Sequence, residues 1–87
     1  MAIYKNLNGS SGVESYKIGS DFIRVRFDKP TKSHGCNTYL YTYNMTGREN
    51  VEQMKKFAEQ GSGLGGFISS NRNDIEFESR SYTAFSL

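Results

Sequence analysis

Residues 49–68, ENVEQMKKFAEQGSGLGGFI, decide the fold. Val51, Met54 and Ala58 fall on one helical stripe with Phe57 at its edge, the spacing of a helix that buries one face. Ahead of it, Thr46-Gly47-Arg48-Glu49 fits a capping box. The Thr46 hydroxyl would accept the Glu49 amide while the Glu49 carboxylate reaches back to the Thr46 amide. Glu52 precedes Lys56 by four residues, the favourable order for an exposed pair. Gly61 is a natural left-handed stop, so the helix is expected over 46–60. Leu64, Phe67 and Ile68 then resume helical spacing. Gly63, Gly65 and Gly66 each cost a helix about 1 kcal/mol relative to Ala, so this second helix needs a sheet to dock on.

That sheet is written upstream. Ile23, Val25 and Phe27 alternate with Phe22, Arg24, Arg26 and Asp28, the period of a half-buried strand over 22–28. A weaker strand over 13–18 precedes it, closed by Gly19-Ser20. After Pro30 and a polar loop comes a third strand over 38–44, with tyrosine at 39, 41 and 43. Connections this short make an antiparallel meander. Residues 1–12 end in Asn8-Gly9-Ser10-Ser11-Gly12 and read as a flexible arm, with at most a short extended piece at Ile3-Tyr4. The main domain is expected over 13–72. The tail, 73–87, alternates at Ile75, Phe77 and Ser79 and leans toward an added strand.

Composition narrows the function classes. Eighty-seven residues make one domain, burying about 60–65% of the unfolded surface and leaving no room for a deep cofactor cavity. Six Tyr and six Phe must supply much of the core. A net charge of +2, from eleven basic and nine acidic residues, does not by itself imply polyanion binding. Cys36 is the only cysteine, so no internal disulfide forms, and no stretch approaches the ~20 apolar residues of a membrane span. The first twelve residues lack a signal-peptide core, which makes the cytoplasm the expected location. The glycosylation patterns at Asn8 and Asn44 are then chance matches.

Ile23-x-Val25-x-Phe27, Tyr39-x-Tyr41, and a helix followed by a glycine-containing second helix (57–68) occur in an order that resembles the KTSC domain, across roughly residues 11–72. That module stands at the C-terminus of some lysyl-tRNA synthetases and alone in bacterial and phage proteins. The resemblance implies a three-stranded sheet packed by helices, and its synthetase context suggests RNA binding. The chain departs from the family in its loop over 29–37, in Gly65-Gly66, and in its tail. Separately, Gly61-Ser62-Gly63-Leu64-Gly65 after an amphipathic helix looks like a segment of a small phage anti-CRISPR protein.

If Ile23, Val25 and Phe27 face the helix, Phe22, Arg24 and Arg26 face outward, joined by Lys17 from the neighbouring strand. Guanidiniums beside an aromatic ring can hold phosphates and stack a base. An ordinary solvated face, its arginines balanced by Asp28 and Glu14, accounts for the same residues and is the commoner case. The tyrosines fit the core better than a stacking platform, because Leu40 is the only large apolar residue on their other side. Gly61–Gly66 matches G-x-G-x-x-G but follows a helix instead of a strand, so it reads as a cap and turn. His34 and Cys36 are too few for a zinc site and lack an orienting group for nucleophilic catalysis. Lys29, Lys32, Lys55 and Lys56 are interrupted by Asp28, Glu52 and Glu59, as on ordinary surface.

The expectation is an α+β fold: a three- to four-stranded antiparallel meander, covered on one face by the amphipathic helix and a short second helix. The expected function is a small non-enzymatic module binding RNA or another polyanion through Lys17, Phe22, Arg24 and Arg26. The alternative is a phage- or mobile-element-encoded protein-interaction module, such as an inhibitor of a host defence protein, or a homo-oligomer. Contact would then run through an open sheet edge or the aromatic tail at Tyr82 and Phe85. No cofactor, metal or membrane contact is expected.

Overall fold

The alternation at Phe22–Phe27 produces the central strand of an antiparallel sheet. In the computed structural model, which describes residues 2–7, 12–30, 35–71 and 74–82, the strands run in sequence order. They are β1 (Ala2–Ile3), β2 (Val13–Ile18), β3 (Phe22–Phe27), β4 (Thr38–Thr42) and β5 (Ser79–Ser81). Three helices, α1 (Tyr43–Thr46), α2 (Arg48–Gln60) and α3 (Leu64–Asn71), lie between β4 and β5. The α+β meander is therefore as expected, but five strands replace three or four among the described residues.

Ile23 and Val25 are 0% exposed and pair across both neighbours, Ile18–Ile23–Tyr41 and Tyr16–Val25–Tyr39. Phe27 meets Tyr39 edge-on at 5.8 Å. Against this inner face α2 lays Val51, Met54 and Ala58, all buried, the stripe read from the sequence. Gly61 ends the helix at φ 78°, its N–H shared between the Phe57 and Ala58 carbonyls. The second helix forms because Leu64 is fully buried and Phe67 packs on Phe57 with ring centres 5.7 Å apart. Burial of those side chains offsets the poor helix propensity of its glycines.

Four local expectations need correction. First, the strand over 38–44 ends at Thr42, whose hydroxyl accepts the Met45 N–H (3.2 Å) and caps α1. Tyr43 thereby leaves the ladder. Second, Thr46 caps nothing. Its hydroxyl donates to the Glu76 carbonyl, and Gly47 (φ 96°) starts α2 without a side-chain cap. Third, Glu52 pairs with Lys55, not Lys56, at 2.8 Å. Fourth, residues 2–7 are not a loose arm. Tyr4 is 3% exposed, its N–H bonds Glu14 O (3.0 Å), and its phenol oxygen accepts the Leu64 N–H (3.3 Å). The Leu7 N–H continues the clamp on Gly61 O (2.8 Å).

The tail does add a strand, though later than its alternation suggests. Ile75 is buried just after a turn, Phe77 packs edge-on against Tyr39 at 5.0 Å, and pairing to β4 begins at Ser79.

Candidate ligand surface on the outer sheet face

Register assigns the outer face residue by residue. One row runs Lys17–Arg24–Leu40–Ser79, a second Ser15–Arg26–Thr38–Ser81, and a third contains Phe22 and Thr42. Lys17, Phe22, Arg24 and Arg26 therefore share this face, but they are not equivalent.

Arg26 is engaged. A register shift between Val13 and Ser15 inserts Glu14 as an extra residue, and its Oε1 lies 3.4 Å from Arg26 Nε. The Ser15 hydroxyl donates to the same carboxylate. Only 16% of the Arg26 side chain is exposed, so it is not presented to a ligand.

Lys17 and Arg24 stand directly opposite each other, Lys17 exposed and Arg24 half-buried. Among the described residues neither lies within ion-pair distance of a carboxylate. Like charges directly opposed across strands tend to destabilise a sheet. Phe22 lies one row away, its ring across Gly19. The Thr42 hydroxyl donates to Glu78 (3.3 Å), placing one carboxylate at the border of the face.

The other candidates separate clearly. Tyr39 and Tyr41 are buried in the core. Burial pushes the Tyr41 phenol well above the usual tyrosine value, with Tyr39 adding to the effect. The Tyr39 hydroxyl donates to Cys36 O at 3.4 Å. The glycine run performs capping and turning, with Gly63 at φ 91° packed against the Phe57 ring. Cys36 is a half-buried free thiol, while His34, Lys32 and Phe85 lie outside the described residues. Tyr82 follows β5 and is 61% exposed. Among the described residues no group of three or more His, Cys, Asp or Glu could hold a metal, and no helix is long and apolar enough to cross a membrane.

One cluster escaped sequence reasoning. The Tyr43 hydroxyl donates to Glu52, and Lys55 and Arg48 sit 5.3 and 5.9 Å from its ring centre. Lys55 also donates to Ser20 O (3.1 Å), tying α2 to the β2–β3 turn. Hydrogen bonds from Lys55 and then Tyr43 hold the Glu52 carboxyl below its ordinary value. This cluster is internally satisfied and works as a brace. Its only sequence signal, a tyrosine nine residues before a glutamate, is too common to find it. Comparison with protein-family models, with curated proteins and with solved structures gives no match, so the resemblance to the KTSC domain stands on its motifs alone.

Proposed function

We propose that the protein is a non-enzymatic binding module that holds an extended polyanion on its outer sheet face, with the phosphodiester backbone of RNA as the first candidate. The observation that carries this reading is the Lys17–Arg24 pair, which meets no carboxylate among the described residues. An ordinary solvated face gains nothing from opposing two cations when Glu14 shows that the same face can supply a carboxylate. Arg26 holds the bulged edge in place and contributes structure instead of affinity.

A single substitution separates the two roles of the pair. Lys17→Glu would replace repulsion by a cross-strand ion pair with Arg24, stabilising the fold by about 0.2–1 kcal/mol. The same change removes one cation and blocks the other, so polyanion binding should be lost while stability rises. Unchanged binding in a folded Lys17→Glu variant would overturn the proposal.

The protein-interaction alternative is favoured by one observation, the 61% exposed Tyr82 directly after the short edge strand β5. It predicts a sedimentation mass above the monomer at micromolar concentration that Tyr82→Ser returns to the monomer. A strict monomer at that concentration removes the homo-oligomer form of the idea.

A further inference from the structure

Gly19 and Phe22 flank the β2–β3 turn, just beyond the last strand pair Ile18–Ile23, with the Gly19 N–H bonded to Phe22 O at 3.0 Å. A Cβ on Gly19 would overlap the Phe22 ring, so the ring fills the space that a side chain at 19 would take. An aromatic ring covering a glycine in this way is a known device for protecting bare backbone. It accounts for the contact but not for the neighbour. Phe22 and Arg24 lie two residues apart on one face, about 7 Å along the strand, and Arg24 faces Lys17.

From this we infer that the outer face takes its ligand as a single strand of nucleic acid, with one base laid on the Phe22 ring that Gly19 seats and the adjoining phosphate between Lys17 and Arg24. The inference rests on the proposed polyanion reading and names its ligand class. A half-buried aromatic beside a cation pair suits an unstacked base, because every base has a π-face and a basic flank holds its backbone. A duplex keeps its bases stacked and offers nothing to the ring. Gly19 is a positioning residue here: it touches no ligand and fixes where the ring sits.

The test measures binding of the full chain to four probes of matched charge: oligouridylate, its deoxy counterpart, an abasic strand of the same length, and inorganic polyphosphate. Oligouridylate should bind about tenfold more tightly than the abasic strand or polyphosphate. Phe22→Leu should erase that difference and Phe22→Tyr restore it. Gly19→Ala should weaken oligouridylate alone, leaving polyphosphate affinity unchanged. Tight binding of either sugar supports the inference, and a preference between them assigns RNA or DNA as the source. Equal binding of the abasic and base-bearing strands overturns it while leaving the polyanion reading intact, and this comparison needs no variant. Failure of all four probes overturns both.

Discussion

Replacing Tyr4 tests whether the first residues of the chain belong to the fold. Tyr4→Phe keeps the ring, which is 3% exposed, and deletes only the oxygen that accepts the Leu64 N–H at the start of α3. A buried donor left without its acceptor costs about 1–3 kcal/mol, and the 3.3 Å separation points to the lower half of that range. For a domain of this size, 1 kcal/mol moves Tm by about 4–8 °C. Tyr4→Ala removes the ring as well and should cost about 3–5 kcal/mol, against a total stability of about 4–13 kcal/mol for 87 residues. Urea denaturation followed by circular dichroism gives both numbers. Amide hydrogen exchange should show Leu64 losing protection in Tyr4→Phe before the rest of α3 does. A Tyr4→Ala variant within about 0.5 kcal/mol of the natural chain, the scatter of ordinary surface changes, would show that the clamp on α3 does not exist.

Other consequences follow from the same geometry. Gly61→Ala forces a side chain into the left-handed region, with its Cβ 2.6 Å from Lys5 Cβ, and should destabilise by at least about 1–2 kcal/mol in thermal unfolding. The Glu52 carboxyl, held low by Lys55 and Tyr43, should titrate below the ordinary glutamate range in carbon-detected NMR, and Tyr43→Phe should move it upward. Because its folded pKa is depressed, whatever stability Glu52 adds is present above its unfolded pKa and is lost as pH falls through the folded one. A Glu52 titration that Tyr43→Phe leaves unmoved would break the brace. Thr42→Ala should cost about 1 kcal/mol through the lost α1 cap, with Thr46→Ala acting separately by freeing the Glu76 carbonyl.

The parts of this fold that were readable in sequence are those where one period dominates. Ile23, Val25, Val51, Met54 and Ala58 repeat at spacings that only one element satisfies, and each is buried where that spacing puts it. Competition hid the rest. Tyr43 extends the tyrosine alternation, yet Thr42 caps a helical turn and takes Tyr43 out of the sheet. Thr46 and Glu49 spell a capping box, but a carbonyl thirty residues away claims the hydroxyl. Ile3-Tyr4 is too short to signal a strand against a background of turn formers, and its partner Leu64 is sixty residues distant. At the candidate site, periodicity sufficed to put Arg24 and Arg26 on one face. Their difference was not readable, because it depends on a bulge that swings Glu14 to Arg26 and on a hairpin register that sets Lys17 against Arg24.

The salt dependence of binding tests the functional account most directly. Labelled single-stranded oligonucleotide should be titrated with the natural chain, Arg24→Ala and Arg26→Ala across a range of salt concentrations. Each phosphate neutralised on a single strand contributes a slope of about −0.7 in log K against log salt. One phosphate shared by Lys17 and Arg24 therefore predicts a slope of about −0.7, shallower in Arg24→Ala and unchanged in a folded Arg26→Ala. A flat salt profile, or a slope that Arg24→Ala leaves intact, would contradict the assignment of this face to an anionic ligand.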